Sequence, residues 1–273
     1  MIIAFVTSTF ILLLLLAAAL KWELKPKHSI PWSLFIAGIG FAITYLGESN
    51  FGTWPSVVIA LACVVGSVVA SIGAILFFFF RDPERKPPLD ETVLVSPADG
   101  TVVYVKEIED GRFPFAIKNN NKIPLSEFSQ ENLIPNRGIQ IGIAMNYLNV
   151  HVNRSPISGT VRMVKPIGGK FLSLKHIHSL LENERALMVF ENENLKVGIV
   201  QIASRLVRRI VPYVKEGQSI KQGDRVGMIK FGSQVDLLIA YREDLSIKVK
   251  VGDELVAGES IVMTCQSVTP VLK

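Results

Sequence analysis

Three long uncharged runs at the start of the chain constrain its fold more than any other feature. Residues 2–20, 29–47 and 55–80 contain no Asp, Glu, Lys or Arg. About 20 apolar residues in a helix cross a hydrocarbon core, and each run is close to that length or longer. The first holds Leu12–Leu16 followed by Ala17, Ala18 and Ala19, and the third ends in Phe77–Phe80. The second is the least apolar, with Pro31, Ser33, Thr44 and three glycines. Two or three N-terminal transmembrane helices are therefore expected near 2–20, 29–47 and 55–80. A cleaved signal peptide is the alternative for the first run. It needs a basic leading segment, and Met1-Ile2-Ile3 supplies none.

The basic residues give an orientation. Lys21, Lys25 and Lys27 lie between the first two runs, and Arg81, Arg85 and Lys86 follow the third. The segment Glu48–Trp54 has neither Lys nor Arg. Cytoplasmic loops carry the positive excess, so the 21–28 loop and everything after Arg81 are expected on the cytoplasmic side of the inner membrane. The formal net charge of +5 points to an anionic partner. Nucleic-acid binding calls for a basic cluster interleaved with aromatics. Here the basic residues are scattered and densest beside apolar segments, which fits a membrane surface and no nucleic acid.

Beyond the membrane region, taken as 1–86, residues 87–273 read as one β-rich domain. Val93–Val95, Val102–Val105, Ile139–Ile143 and Thr160–Val164 are short β-branched runs bounded by Gly, Pro, Asn and Asp, the signature of strands. Residues 109–136 are polar and look like an excursion, and 173–184 is the best helix candidate. Two internal echoes stand out. Val214–Val226 recurs in outline as Val249–Ile261, with glycines at matching turns, and Ser96-Pro-Ala-Asp-Gly-Thr-Val recurs as Ser155-Pro-Ile-Ser-Gly-Thr-Val. Paired, glycine-punctuated hairpins describe a barrel-like sheet in an α+β domain. Lipoyl-type carriers and some cell-wall peptidases share that pattern. A carrier needs a modified lysine in Met-Lys-Met or Asp-Lys-Ala context, and neither occurs.

Chemistry could reside in three places. Asp99 sits in a turn before a strand, where Asp commonly caps its own backbone. Asn149, His151 and Asn153 alternate along an extended stretch. His176 and His178 offer a zinc reading together with His151, but their segment reads as helix, which separates the rings, and no metal site is expected. Cys63, in the third apolar run, and Cys265, near the C-terminus, do not suit a mutual bridge, and no CxxC spacing exists. Gly232-Ser233 is the third place. Glycine leaves its carbonyl open to attack and tolerates strained backbone. The following hydroxyl can take over the acyl group, and elimination from the resulting ester leaves dehydroalanine, which hydrolyses to a pyruvoyl group.

Read together, these segments resemble the short, bacterial-type phosphatidylserine decarboxylases over nearly the whole chain. The resemblance runs through Phe79-Phe80-Arg81-Asp82-Pro83-Glu84-Arg85, Ser96-Pro97-Ala98-Asp99-Gly100 and Asn149-Val150-His151-Val152-Asn153-Arg154. It continues through Gly169-Lys170-Phe171-Leu172, Asn183-Glu184-Arg185, Arg208-Arg209-Ile210 and Gly227-Met228-Ile229-Lys230-Phe231-Gly232-Ser233. No single motif decides; their order and spacing do.

The resemblance implies a proenzyme that cuts itself between Gly232 and Ser233, giving a large chain and a 41-residue small chain. Ser233 becomes the pyruvoyl cofactor, and phosphatidylserine is decarboxylated to phosphatidylethanolamine and carbon dioxide. A homodimer is expected. Asp99 resembles the family's processing acid and His151 the histidine nearest the substrate. Arg154, Lys170 and Phe171 are expected at the phospholipid. One departure matters: Arg154 stands where the longer branch of the family has a second histidine, so His151 could serve self-cleavage, decarboxylation or both. A homologue acting on another seryl lipid, such as the archaeal ether form, would share the head-group chemistry. The stretch 168–182, with Phe171, Leu172 and Leu174 among Lys170 and Lys175, reads either as a core helix or as a loop dipping into the membrane.

Overall fold

The three uncharged runs form helices α1 (Ile2–Lys21), α2 (Pro26–Phe51) and α3 (Thr53–Phe80). Among the described residues these are the three helices long and apolar enough to cross a membrane. Pro26 opens α2, where a missing N–H is no loss, and Gly52, at φ +79°, ends it. Small residues let the helices approach. A Cβ on Gly40 would lie 2.7 Å from Ile11 Cδ1, and one on Gly47 would lie 2.6 Å from Ile59 Cδ1. Such close approach drives helix association where lipid is as apolar as the side chains. Phe10, Leu13, Leu46, Leu61 and Phe77 face outward, as a bundle solvated by hydrocarbon requires.

The structure is a computed structural model. It describes all residues except 23, 91, 110–111, 118–120, 125–136, 170–182, 204–209, 231–232 and 266–273; for 112–117, 121–124 and Ser233 it describes the backbone alone. The chain divides into two compact units: Met1–Phe80 with Asn146–Leu148, and Arg81–Met145 with Asn149–Lys273. Most of the 173–184 helix expectation lies outside the described residues. Within the 109–136 excursion, two strands pair as a hairpin, β3 (Arg112–Ile117) and β4 (Asn121–Pro124).

The second unit is built from two interlocked halves. One comprises β1 (Val93–Val95), β2 (Gly100–Ile108), β5 (Gly138–Met145), β13 (Ser233–Ala240), β14 (Leu245–Ile247), β15 (Glu254–Leu255) and β16 (Ile261–Cys265). The other comprises β6 (Val152–Arg154), β7 (Gly159–Ile167), β8 (Arg185–Glu191), β9 (Lys196–Ala203), β10 (Ile210–Pro212), β11 (Ser219–Ile220) and β12 (Arg225–Ile229). Every pairing in one half has its counterpart in the other. The three-stranded sheet β1-β16-β14 matches β6-β12-β10, and the run β15-β2-β5-β13 matches β11-β7-β8-β9. The halves join where β13 pairs with β9, Leu237 opposite Ile199, giving one eight-stranded sheet in the order β11-β7-β8-β9-β13-β5-β2-β15.

The sequence echoes are the reason. Gly100 and Gly159 have φ of +150° and +157°, and a Cβ on either would come within 2.3 Å of a facing carbonyl oxygen, that of Ala144 or Glu191. Only glycine allows the strand to start there. Equivalent backbone bonds close the turns, Gly258 N–H to Ser96 O at 2.8 Å and Gly223 N–H to Ser155 O at 2.9 Å. The second half is inserted whole between β5 and β13. The chain therefore re-enters the first half at Ser233.

Alternation along the central strands divides their faces. Ile139, Ile141, Ile143, Val197, Ile199, Val235, Leu237 and Ile239 belong to one continuous core, each such side chain contributing about 1.5–3 kcal/mol. Gln140, Gln234 and Asp236 occupy the alternate positions and are also buried.

Candidate active site

The turn before β2 positions Asp99. Ser96 Oγ–H donates to Ala98 O at 2.7 Å, which closes the turn and turns Asp99 inward. The carboxylate is 6% exposed. Its two oxygens accept from Arg85 Nη2 at 3.0 and 3.1 Å, from Ala257 N–H at 2.8 Å and from Val150 N–H at 3.3 Å. Asp99 is thus tied to the backbone next to His151.

His151 is fully buried. Its Nδ1 lies 2.9 Å from Asn149 O. A carbonyl only accepts, so Nδ1 carries the proton and Nε2 is the basic nitrogen. Burial holds the imidazole neutral by pushing its pKa down to about 4. A neutral histidine with a fixed tautomer suits proton transfer at neutral pH. Asp99 and His151 are linked through the Val150 backbone, while the imidazole Nδ1 pairs with its own chain.

The strands that lead up to Gly232 and away from it are both held in place. Upstream, β12 ends at Ile229, whose N–H donates to His151 O at 3.2 Å. Downstream, β13 begins at Ser233, in register with Met145 on β5 and Ala203 on β9. Met145 Sδ lies 4.0 Å from Asn153 Nδ2, and Gln201 Nε2–H donates to Asn153 Oδ1 at 2.7 Å. The segments bearing His151 and Ser233 therefore meet across β5, β6 and β9. Gly232 itself, and Lys170 and Phe171 with the stretch to 182, lie outside the described residues.

Two features were not assigned from sequence. The first is the set of partners held by the arm Arg81–Arg85, a segment that carries part of the family resemblance but names none of them. Arg154 is 3% exposed and donates to Asp82 Oδ1 at 3.0 Å, Pro83 O at 2.8 Å and Gly223 O at 2.9 Å. Burial lowers the Arg154 pKa, opposed by the nearby Asp82 charge. Arg225 bonds Asp82 at 2.5 Å and Glu84 Oε1 at 2.8 Å. The Arg225 hydrogen bond in turn holds the Glu84 carboxyl below its ordinary value. Arg154, expected at the substrate, donates to the arm in this structure.

The second is a buried polar cluster three residues beyond Ser233. Asp236 accepts from Tyr104 O–H at 2.6 Å, from Gln234 Nε2–H at 2.7 Å and from Gln140 Nε2–H. Burial raises its carboxyl to about 6 against the pull of those donors, and burial followed by the Asp236 charge raises the Tyr104 hydroxyl well above its ordinary value. A Cβ on Gly142 would strike the Tyr104 ring at 2.4 Å. The available signal was Gln140, Gln234 and Asp236 at alternate positions of otherwise apolar strands. No group of three or more His, Cys, Asp or Glu suited to a metal occurs among the described residues.

Helices of membrane-spanning length and a β domain holding a buried neutral histidine fit a membrane-associated enzyme. Residues 72–263 match the family profile described as phosphatidylserine decarboxylase. The phosphatidylserine decarboxylase proenzyme of Trichlorobacter lovleyi is 41% identical over 205 residues, covering 74% of this chain and 81% of the relative. That of Pelobacter propionicus is 35% identical over 228 residues, 83% of this chain and 91% of the relative. A protein of Methanothermobacter thermautotrophicus with the provisional name archaetidylserine decarboxylase proenzyme is 38% identical over 200 residues, 72% and 84% of the two chains. The chain belongs to the phosphatidylserine decarboxylase family, a family of carboxy-lyases in phospholipid biosynthesis.

Proposed function

We propose that this protein is a proenzyme that cuts itself between Gly232 and Ser233, and that the processed form decarboxylates phosphatidylserine to phosphatidylethanolamine. The observation that carries the reading is the anchoring of both flanks of that bond beside a buried, neutral His151. In the first step the Ser233 hydroxyl oxygen bonds to the Gly232 carbonyl carbon, its proton passes to the Ser233 nitrogen, and the C–N bond breaks to give an ester and a free amine. Loss of the Ser233 Cα proton then breaks the Cβ–O bond, releasing the Gly232 carboxylate and leaving dehydroalanine. Water adds to this residue and ammonia departs, which leaves the pyruvoyl group.

The strand position of Ser233 suits such a group, since its register neighbours, Met145 on β5 and Ala203 on β9, carry no ionisable side chain. The pyruvoyl carbonyl supplies an electron sink for the carbon–carbon bond that breaks as carbon dioxide leaves. His151 is the acid for the step that follows, taking up a proton from water on Nε2 and delivering it to the substrate carbon that carbon dioxide has left. Asp99 fixes the backbone from which His151 projects, and Arg154 holds the arm in place of a substrate contact. The reading has the three helices anchor the enzyme in the inner membrane, and the positive flanking residues support a β domain on the cytoplasmic side.

The head group of archaetidylserine is the same, and the archaeal relatives carry that name. Assays with diacyl and with ether-linked seryl lipids assign the backbone. Purified protein is expected to release carbon dioxide from vesicles containing phosphatidylserine. Ser233→Ala is expected to stay uncut and inactive, and carbon dioxide release by that variant contradicts the reading. His151→Ala that is cut yet inactive places the histidine in decarboxylation alone.

A further inference from the structure

We propose that Arg85 is a positioning residue of this enzyme, acting through Asp99 on the backbone that carries His151. The inference rests on the self-cleavage reading above and extends it to the arm.

The two halves of the domain contain their own comparison. In both turns the leading serine bonds the carbonyl two residues on, Ser96 to Ala98 and Ser155 to Ile157, each at 2.7 Å. In both, the fourth residue caps an N–H of the facing glycine hairpin. Asp99 Oδ1 accepts from Ala257 N–H at 2.8 Å, and Ser158 Oγ accepts from Gln222 N–H at 3.0 Å. A hydroxyl therefore suffices for the cap. What Asp99 adds is a second oxygen and a charge.

The second oxygen reaches Val150 N–H, immediately before His151. The charge is nearly buried, and such a charge is strongly destabilising without a partner. Arg85 is that partner, with Nη2 within 3.1 Å of both oxygens. The arm delivers Arg85 to this place because both of its other acids are held, Asp82 by Arg154 and Arg225, and Glu84 by Arg225. Lys86 N–H donates to Glu259 at 2.9 Å and secures the far end. Cleavage after Gly232 would leave Arg85, Asp99 and His151 on the large chain and Ala257 and Glu259 on the small one. Asp99, through Ala257 N–H, and Arg85, 3.7 Å from Glu259, would then hold the two products together. The segment that follows the third apolar helix becomes part of the site.

The test is a double-mutant cycle on self-cleavage, run on the full-length chain synthesised into lipid nanodiscs and followed by gel over time. Arg85→Gln and Asp99→Asn are each expected to slow cleavage by at least about tenfold, the effect of a small misplacement of a reacting group. The double variant should be no slower than Asp99→Asn, because Arg85 acts through that carboxylate. Arg85→Lys should recover part of the rate, since a single ammonium replaces the charge but not the fork. In any Arg85→Gln protein that is eventually cut, kcat should fall with KM nearly unchanged. Should Arg85→Gln fail to fold because Asp99 is stranded, adding Asp99→Asn is expected to restore the fold. Parent-like cleavage by Arg85→Gln, losses that multiply in the double variant, or a double variant that stays unfolded would each overturn the inference. A parent chain left uncut overturns the self-cleavage reading itself, and this inference with it.

Discussion

Two buried ionisable groups in the β domain should respond to acid in opposite directions, and the two effects should nearly cancel. The folded protein holds His151 neutral down to about pH 4, whereas an unfolded histidine takes up its proton near 6.5. Below 6.5 the unfolded chain binds a proton that the folded one refuses, so stability falls with falling pH. Asp236 titrates near 6 when folded and near 3.8 when unfolded. Between those values the folded chain binds the extra proton, so stability rises as pH falls. Linkage between pH 7 and 4.5 gives a loss of about 2 kcal/mol from His151 and a gain of about 2 kcal/mol from Asp236. The parent should show little net change from this pair. Replacing either residue should uncover the other. Hydrogen exchange of the β5, β9 and β13 amides, in an uncut Ser233→Ala background, measures the difference between each variant and its parent at each pH. Relative to that parent, His151→Gln should gain protection on acidification and Asp236→Asn should lose it. Differences that stay flat from pH 7 to 4.5 would refute the reading that burial lowers the His151 pKa and raises that of Asp236.

Other perturbations follow from the packing. Gly100→Ala drives a Cβ against Ala144 O at 2.3 Å, so the β2–β5 pairing should weaken by about 3 kcal/mol, read as a lowered denaturation midpoint. Gly168→Ala, with open space at its Cβ, should stay within about 0.5 kcal/mol of the parent. Arg154→Ala removes the buried clamp on Asp82 and Pro83 and should cost about 3 kcal/mol, with the arm becoming sensitive to limited proteolysis after Arg81 or Arg85.

The membrane helices were legible because lipid tolerates few charges, and three uncharged runs leave little choice of structure. The strand pattern was legible for a similar reason: glycines at positive φ recur at fixed spacing, so Val93–Val95, Ile139–Ile143 and the two hairpin echoes map onto paired strands. The insertion of one half inside the other was not legible, because register between distant strands is set by packing across the sheet. Ion-pair partners were hidden for the same reason. Arg85 could have met lipid, solvent or any of several acids, and nothing local to Phe80-Arg81-Asp82-Pro83-Glu84-Arg85 names Asp99. Asp236 was missed because a lone acid in a strand is ordinarily solvated, and only burial with Tyr104, Gln140 and Gln234 makes it unusual.

The central claim concerns a single amide bond, and intact mass spectrometry of the purified protein tests it directly. The account predicts two polypeptides in equal amount, one of residues 1–232 and one of 41 residues whose first residue carries a pyruvoyl group and resists amino-terminal sequencing. A single uncut polypeptide of 30.1 kDa that still decarboxylates a seryl phospholipid would contradict it.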